Sequence, residues 1–301
     1  MTSPTGDSDS TGVYVVTGSA SGMGHAVAVK LAAAGHRVIG VDQRDADIVA
    51  DLSTAQGRRN AVTAVLAAAG GPLAGAVLAA GLGPGAALGP GEGTGRPRLI
   101  TEVNYFGVVE LLEGWRDALA AAEDAKVVVF SSNSTTTVPA VPRRAINALL
   151  AGDGDRAVRS LRRYGRVGPV MAYAASKIAV SRWVRRQATS PAWAGAGIRL
   201  NALAPGAILT PLLEEQLASP TESRAVTRFP VPIGGFGDPD KLADWAVFML
   251  SDAAGFLCGS VIFVDGGSDA YFRADDWPRA VPLRRLPPFL LRSWRFGRRP
   301  G

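Results

Sequence analysis

The sequence is poor in the residues that cross-link a chain or ligate a metal. Its single cysteine, Cys258, excludes an internal disulfide, suits a reducing compartment, and is predicted to be a small core residue. The two histidines, His25 and His36, have no metal-ligand set around them in the sequence, so both are expected to be structural or solvated. We therefore expect a cytoplasmic protein with no metal site.

Targeting segments and long apolar runs are also missing. Residues 1–11 are polar and acidic, which predicts a disordered N-terminus and not a signal peptide. Residues 60–91 carry no charge, but glycines and prolines interrupt them. A membrane-spanning helix needs ~20 mostly apolar residues without such breaks. This stretch therefore predicts a helix, a turn, a strand and a loop.

The net charge of +6 is confined to one end of the chain. Residues 273–301 contain eight arginines and two aspartates and account for all of it, so the neutral remainder argues against a nucleic-acid partner. The tail alternates arginine with Trp277, Phe289, Trp294 and Phe296. We expect this tail to be a surface extension, and a contact between subunits is the second possibility. Attachment to an anionic membrane is the third, because prolines break the regular helix that such an attachment would need.

Strand-like and helix-like segments alternate through most of the chain. Short β-branched or apolar runs predict strands, and most of the stretches between them predict helices. The predicted strands are residues 13–17, 35–42, 47–52, 74–80, 126–132, 198–204 and 260–267, and the predicted helices are 23–34, 54–69, 98–122, 170–188 and 238–252. The alternation predicts an α/β fold with a single Rossmann-type doubly wound parallel sheet of about seven strands and helices on both faces.

Two segments depart from this alternation. Residues 133–168 predict an insertion with a helical pair at about 140–165, whose second helix begins at Asp153 or Asp155. Residues 206–237 predict a long loop that follows the sixth strand and is long enough to act as a lid.

A glycine-rich loop follows the first strand directly. The stretch "TGSASGMG" contains Gly18, Gly22 and Gly24. Such a loop lets the backbone approach a pyrophosphate, while the next helix points its first N–H groups at the phosphates. The spacing is GxxxGxG and not GxGxxG, so an ordinary tight turn between strand and helix is the alternative interpretation.

Acidic residues end the second and third predicted strands. Asp42 lies eighteen residues after Gly24, where a carboxylate accepts hydrogen bonds from the ribose hydroxyls of NAD and repels a 2′-phosphate. We therefore favour NAD over NADP, although Arg44 weakens the discrimination and a surface aspartate is the alternative. Asp51 and Leu52 follow the third strand, where an adenine would lie.

The stretch "YAASK" places Tyr173 and Lys177 four residues apart on one face of a predicted helix. The pair is either an acid–base device or an ordinary amphipathic helix surface. Because a free tyrosine titrates near pH ~10, it needs help to act as a base. A nearby ammonium and a positively charged nicotinamide ring would lower its pKa, so we expect a lowered pKa at Tyr173.

These motifs occur together and in one order. "TGSASGMG", "VNYFG", "VVVFSS", "YAASK", "LAPGAILT" and "DGG" resemble the short-chain dehydrogenase/reductase family over about residues 12–268. The stretch at 34–58, "RLNALAPGAILTPLL" and "VDGGSDA" are similar to the bacterial 3α-hydroxysteroid dehydrogenase/carbonyl reductase branch of that family. The resemblance implies a dinucleotide-binding catalytic domain at residues 12–270, followed by a basic, aromatic C-terminal extension at residues 271–301.

The resemblance also implies four catalytic residues. Tyr173 would be the general acid or base, Lys177 would hold the nicotinamide ribose, and Ser132 would bond the substrate oxygen. Asn104 would hold a water that links Lys177 to solvent. The implied contacts with NAD are Gly18, Ser21, Gly22, Met23, Gly24, Asp42, Asp51, Leu52, Ala80, Gly81, Tyr173, Lys177, Pro205, Gly206, Ile208 and Thr210.

Alternatives stay open for several of these residues. Ser131 or Ser134 can replace Ser132 as the active hydroxyl, Asn104 can be a structural helix residue, and Thr210 can be an ordinary loop residue. The non-catalytic alternative for the whole chain is an NAD-binding regulator with the same fold. The intact catalytic set argues against a regulator.

The sequence departs from the family pattern at two places. The usual "NNAG" after the fourth strand is "LAAG", ending at Gly81, so that turn is expected to lose its side-chain hydrogen bonds. Ser132 and Tyr173 are 41 residues apart, which is longer than usual and reflects the helical insertion. Family members assemble through helices that flank the active site, among them the helix that carries Tyr173. Because the insertion at 140–165 would obstruct or replace that contact, we expect a homodimer and not a tetramer.

The substrate is expected to be a hydrophobic secondary alcohol or ketone, such as a hydroxysteroid. The loops beside the expected site offer apolar side chains, which suit an apolar ligand. These residues are Leu82, Pro84, Ile208, Leu212, Leu213 and Phe229. Core packing or an oligomer contact is the alternative role for them.

Overall fold

The computed structural model describes residues 11–85, 95–218, 223–277 and 282–296. The predicted disordered N-terminus lies outside these residues except for its last position. Part of the loop after the fourth strand and the end of the C-terminal extension also lie outside them.

Seven parallel strands form one sheet, as predicted. They are β1 (Val13–Thr17), β2 (Arg37–Asp42), β3 (Ile48–Val49), β4 (Gly75–Leu78), β5 (Lys126–Phe130), β6 (Arg199–Pro205) and β7 (Val261–Val264). The order across the sheet is β3-β2-β1-β4-β5-β6-β7, so the winding reverses between β1 and β4. Ligands of doubly wound sheets bind at this reversal, beyond the carboxyl ends of the strands.

Helices cover the sheet and complete the architecture. They are α1 (Gly22–Ala33), α2 (Ala55–Ala69), α3 (Arg96–Thr101), α4 (Gly107–Ala120), α5 (Ser134–Thr137), α6 (Arg143–Leu150), α7 (Gly154–Leu161), α8 (Gly168–Gln187), α9 (Pro211–Ala218), α10 (Ser223–Arg228), α11 (Pro239–Leu250), α12 (Ser268–Arg273) and α13 (Leu286–Phe296). A π-helical turn, Glu102–Phe106, joins α3 to α4.

The strands are buried on both faces, which explains their unbroken apolar runs. Val127 and Val129 enter one core with α2, α4 and α8, while Val128 and Phe130 enter a second core with α1 and α11. Side chains alternate between the faces because the period of a strand is two residues. The predicted helices on both faces of the sheet are thereby confirmed.

The insertion is helical, as predicted. α6 and α7 form the expected pair, and the Asp153 carboxylate caps α7 by accepting from the N–H of Arg156 at 2.8 Å. The alternative cap, Asp155, instead pairs with Arg98 on α3. The insertion is therefore tied to the helix that precedes the π-helical turn.

A buried arginine joins several elements around that turn. Arg58 on α2 is 4 % exposed and donates to Glu102 at 2.9 Å, to both carboxylate oxygens of Glu110 at 2.7 and 3.0 Å, and to the carbonyl of Leu52 at 3.1 Å. Its guanidinium thus has charged and neutral acceptors at once, which is how a buried charge is tolerated. The contacts hold α2, the chain after β3 and the π-helical turn together.

Two expectations about irregular segments are wrong. The long loop predicted at 206–237 contains α9 and α10, and the extension predicted to be broken by prolines contains α13. Pro211, Pro287 and Pro288 lie in the first turns of these helices, where a missing N–H is tolerated. Helix α12 crosses the predicted boundary between residues 270 and 271.

Three smaller observations concern the cysteine, the metal-ligating side chains and the apolar helices. Cys258 is only partly buried, and its thiol donates to the carbonyl of Ala188 at 3.2 Å. Within the described ranges there is no cluster of three metal-ligating side chains. None of the helices in those ranges is long and apolar enough to cross a membrane.

Candidate active site

An open cleft of about 180 Å³ lies where the sheet winding reverses. The loop after β1 forms one wall and the chain after β4 forms the other. The lining residues are Gly18, Ser21, Gly22, Met23, Gly24, Asp42, Gln43, Ala50, Leu52, Ala79, Ala80, Gly81, Leu82, Val103, Thr210 and Pro211. Ten of the predicted cofactor residues therefore line one cleft.

The glycine loop is packed backbone against backbone. Gly18 has a φ of +72°, and a Cβ there would lie 2.8 Å from the amide nitrogen of Ala80. A Cβ on Gly24 would lie 2.2 Å from the carbonyl oxygen of Gly18. Side chains at these two positions would separate the walls of the cleft, which explains the glycines.

The N-terminus of α1 opens into this cleft with its end uncapped. Ser21 occupies the N-cap without a side-chain hydrogen bond, and the first turn contains no acidic residue. The first N–H groups of a helix carry partial positive charge and need acceptors. This end of α1 therefore fits the pyrophosphate of a dinucleotide.

Asp42 places a carboxylate in the same cleft. Its Oδ2 accepts from the N–H of Ala20 at 3.0 Å, and its Oδ1 accepts from the N–H of Gln43 at 2.6 Å. These bonds fix the carboxylate at the carboxyl end of β2, and its remaining lone pairs suit the hydroxyl donors of a ribose. The residues present thus fit a nicotinamide dinucleotide.

Asn104 lies in the π-helical turn and is fully buried. Its Oδ1 accepts from the N–H of Leu82 at 2.7 Å, and its Nδ2 donates to the carbonyl of Leu82 at 2.9 Å. Nδ2 also lies 3.5 Å from the hydroxyl of Ser176, which donates to the carbonyl of Tyr173 at 2.7 Å. Asn104 therefore clamps the wall of the cleft that follows β4 and links it to α8.

Tyr173 and Lys177 share one face of α8, as predicted. The Nζ of Lys177 lies 5.9 Å from the centroid of the Tyr173 ring and donates to the carbonyl of Phe130 at 2.7 Å. A Cβ on Gly81 would lie 3.6 Å from that Nζ and 3.3 Å from the Oδ1 of Asn104. Lys177 thus meets the cleft wall at Gly81, although neither residue of the pair is part of the lining.

The pKa shift of Tyr173 differs from the expectation, and Lys177 is also shifted. Burial raises the pKa of Tyr173, and a hydrogen bond with Ser132 lowers it by less. Burial lowers the pKa of Lys177 to about 8. The predicted lowering of the Tyr173 pKa is therefore wrong for the chain by itself, because loss of water outweighs the hydrogen bond with Ser132.

The three candidate serines have different surroundings. Ser132 interacts with the Tyr173 hydroxyl, and its Oγ accepts from the N–H of Ser134 at 3.1 Å. Ser131 lies 2.6 Å from the hydroxyl of Ser181 within the packing of α8 against β5. Ser132 is thus the serine that meets the tyrosine, and Ser131 is engaged elsewhere.

The other predicted cofactor residues lie outside the lining of the cleft. Asp51 is exposed and accepts from the N–H of Ser53 at 2.9 Å, and the carbonyl of Pro205 accepts from the N–H of Asn133 at 2.9 Å. Gly206 and Ile208 line a separate cavity of about 140 Å³ together with Trp245 and residues of the 231–237 segment.

Most of the expected apolar substrate contacts are packing residues. Ile208 and Leu213 are each 8 % exposed, and the Phe229 ring lies 5.8 Å from that of Phe272. Leu82 alone of the expected set lines the cleft. The Leu212 side chain lies outside the described part of the structure.

Sequence reasoning missed the residue that holds the turn after β4. The hydroxyl of Thr17 accepts from the N–H of Ala80 at 3.1 Å. With the Asn104 contacts to Leu82, it supplies the side-chain hydrogen bonds that the "LAAG" turn was expected to lack. The available signal was the position of Thr17, which ends β1 beside the glycine loop.

Two family models match the chain. The model described as NAD dependent epimerase/dehydratase family matches residues 14–206, and the model described as enoyl-(acyl carrier protein) reductase matches residues 157–269. Together they span the seven-stranded sheet except the first residue of β1. They overlap over the part of α8 that carries Tyr173 and Lys177.

Two relatives that span most of the chain are steroid oxidoreductases by name. A 3-alpha-hydroxysteroid dehydrogenase/carbonyl reductase of Comamonas testosteroni is 38 % identical over 262 residues, covering 87 % of this chain and 98 % of that protein. The structure of the 3-alpha-hydroxysteroid dehydrogenase of Pseudomonas sp. B-0831 with NADH is 44 % identical, with a TM-score of 0.80 over 88 % of this chain and 100 % of the other. A 3beta-hydroxysteroid dehydrogenase 1 of Eggerthella lenta is 42 % identical over 99 residues, which are 33 % of this chain and 37 % of that protein.

Proposed function

The chain belongs to the short-chain dehydrogenase/reductase family, and from that premise we propose that it interconverts a hydrophobic secondary alcohol and its ketone with NAD(H). Relatives that span most of the chain are dehydrogenases that act on CH–OH groups, so the chain is an oxidoreductase. A 3α-hydroxysteroid and its 3-ketosteroid are the substrate class that we propose.

One observation supports the proposal most strongly. Ser132 and Lys177 both lie beside Tyr173, and Lys177 reaches Gly81 at the wall of a cleft that also carries Asp42 and the uncapped start of α1. A phenol at this position can exchange a proton with a substrate oxygen that a serine hydroxyl also bonds. The same cleft has the groups that hold a dinucleotide.

Each residue has a role that its surroundings support. Tyr173 gives its proton to the carbonyl oxygen during reduction and takes it back during oxidation. Ser132 donates a hydrogen bond to that oxygen as its charge develops. Lys177, held by the carbonyl of Phe130, can bond the hydroxyls of a nicotinamide ribose and favours the phenolate when it is protonated.

Asn104 acts through other groups in this proposal. Its two bonds to Leu82 hold the wall of the cleft against α8. The bound nicotinamide would supply or accept the hydride. Asp42 would select NAD over NADP, because its carboxylate repels a 2′-phosphate.

The steroid part of the proposal is supported by resemblance across most of the chain. The relatives that cover 87 and 88 % of this chain are named for 3α-hydroxysteroids. The shorter match to a 3β enzyme makes the stereochemistry at the carbinol carbon the decisive question. A non-steroid secondary alcohol is the alternative substrate.

The experiment is a matched panel of 3α- and 3β-hydroxysteroid epimers, together with small cyclic and linear secondary alcohols. Each is assayed with NAD and with NADP by the appearance of the reduced cofactor. We expect the highest kcat/KM for a 3α epimer with NAD. Preference for a small alcohol would assign the alternative substrate, and absence of turnover with every alcohol and ketone would contradict the proposed activity.

We also propose a homodimer. The insertion packs α6 and α7 along α8 and α3, so part of the α8 surface is already covered within the chain. Light scattering of the purified protein tests this assembly, and a monomeric or tetrameric mass at micromolar concentration would contradict it.

A further inference from the structure

The C-terminal extension leaves large apolar side chains in contact with water. The exposed fractions run from 42 % at Leu286 to 87 % at Leu283, with Phe289, Leu290 and Leu291 between them. Trp277, which precedes them, is 75 % exposed. Exposed apolar side chains that follow one another in this way mark an interaction surface.

Helix α13 places three of these residues on one side. Leu286, Phe289 and Leu290 have the spacing i, i+3 and i+4, which places them on the same face of a helix. Arg292, three residues after Phe289, borders this face, whereas Leu291 lies outside it by the same periodicity. The prolines at 287 and 288 do not disturb this arrangement, because they occupy the first turn.

Arginines from three elements gather beside the start of this helix. Burial, followed by the guanidinium groups of Arg186, Arg143 and Arg285, lowers the pKa of Arg182. Arg182 and Arg186 belong to α8, Arg143 begins α6, and Arg285 immediately precedes α13. Among the ion pairs of the described residues, none involves any of these four arginines. Such a gathering of like charges suits an anionic partner.

We propose that this surface, made of residues 283–292 with Arg143, Arg182 and Arg186, docks the enzyme on an anionic lipid bilayer. The apolar face of α13 would lie in the boundary between head groups and acyl chains, and the arginines would meet the anionic head groups. With eleven residues, α13 is too short to span a bilayer, so the helix lies in the plane of the membrane.

Other classes of partner suit either the arginines or the apolar side chains of this surface, but not both. A two-fold contact with a second copy would bring the same arginine group against itself, since such interfaces are self-complementary. A nucleic acid would neutralise the arginines but would leave the leucines and the phenylalanine without an apolar environment. An anionic bilayer provides both environments in one surface.

The test is co-sedimentation of the full-length protein with phosphatidylglycerol vesicles and with phosphatidylcholine vesicles. We expect binding to the anionic vesicles that weakens as salt is added, and little binding to the neutral ones. Arg285→Gln and Arg292→Gln should each weaken partitioning about fivefold. Phe289→Ser should weaken it about tenfold or more, because a buried phenylalanine is lost from the interface.

Matched controls are available on the same chain. Phe256, which is fully exposed outside this surface, and Arg59, which is exposed on α2, should tolerate Phe256→Ser and Arg59→Gln without a change in partitioning. Circular dichroism and cofactor binding establish that every variant is folded.

Failure to bind phosphatidylglycerol vesicles would overturn the proposal. Equal binding to both vesicle types would overturn the role of the arginines, and equal effects of Phe289→Ser and Phe256→Ser would overturn the role of α13. Self-association is checked by light scattering. If the protein does not bind vesicles and Leu290→Ser lowers the oligomeric mass measured by light scattering, a second copy and not a bilayer covers this surface.

Discussion

The Nζ of Lys177 lies 5.9 Å from the centroid of the Tyr173 ring, but its 2.7 Å hydrogen bond goes to the carbonyl oxygen of Phe130. The backbone of β5 therefore fixes the lysine beside the tyrosine without a direct bond between the two side chains. Burial dominates the titration of both groups, raising the pKa of Tyr173 and lowering that of Lys177. Burial in the folded chain thus favours the neutral forms of both side chains over the forms that they would have in water at the same pH.

The buried ammonium of Lys177 has a consequence for stability. Burial lowers its pKa from 10.5 to about 8, so between these values the unfolded chain binds more protons than the folded one. Stability contributed by this group therefore rises as the pH increases from about 8 to 10.5. We expect wild type to gain up to about 3 kcal/mol relative to Lys177→Met over this interval.

Urea denaturation of the two proteins across the pH range measures this gain. Lys177→Met has nearly the same length and removes the titrating group, so the difference between the two curves isolates it. A difference that stays flat or falls with rising pH would show that the lysine is not desolvated in the folded protein.

Ser132 and Ser131 form a matched pair for the hydroxyl that bonds the substrate. Ser132→Ala should lower kcat by about 10²–10³, because one donor to the developing oxyanion is removed, with little effect on the KM for NAD. Ser131→Ala removes hydrogen bonds with the Ser181 hydroxyl and the Lys177 carbonyl but no contact with Tyr173, and it should lower kcat less than tenfold. Steady-state kinetics with both substrates varied measures the split, and the reverse ranking would move the role to Ser131.

Cofactor choice is expected to depend on Asp42. Asp42→Asn removes the charge that repels a 2′-phosphate while keeping a similar shape, so the ratio of kcat/KM values for NADP and NAD should rise about tenfold or more. Asp45→Asn, three residues further and exposed, should leave that ratio unchanged. An unchanged ratio in the Asp42 variant would place the selection elsewhere in the cleft.

The sequence predicted the sheet better than the segments that surround the site. β-branched runs such as residues 126–132 gave the strands because buried parallel strands are apolar throughout. Helix α9 was missed because residues 206–237 were expected to form one loop. Helix α13 was missed because the prolines of the extension were counted as breakers, although Pro287 and Pro288 lie in its first turn. Position within the helix, which depends on tertiary contacts, decides what a proline does.

The sequence predicted which residues belong to the site but not the contacts that those residues make. Motif order led to Asn104, Ser132, Tyr173 and Lys177, and the structure brings the last three together. The clamp of Asn104 on Leu82 was not predictable, because it joins two loops through a π-helical turn that periodicity does not reveal. The sign of the Tyr173 pKa shift also needed the burial that only the folded chain provides.

Arg58 should contribute more to stability than any exposed ion pair. Arg58→Met would leave Glu102 and Glu110 without their buried partner and the carbonyl of Leu52 without a donor, at a cost of about 3 kcal/mol. Arg116→Met is the control, because Arg116 pairs with Glu113 on the surface at 2.9 Å and should cost less than about 1 kcal/mol. Equal urea midpoints for the two variants would contradict the buried network.

The account rests on the Tyr173 hydroxyl as the proton donor and acceptor, and Tyr173→Phe tests it most directly. The variant removes one oxygen and keeps the ring. With the preferred alcohol and NAD at saturating concentration, single-turnover formation of NADH should fall by about 10³ or more. The fluorescence titration of NADH binding should match wild type. Turnover within tenfold of wild type, with cofactor binding intact, would contradict the mechanism.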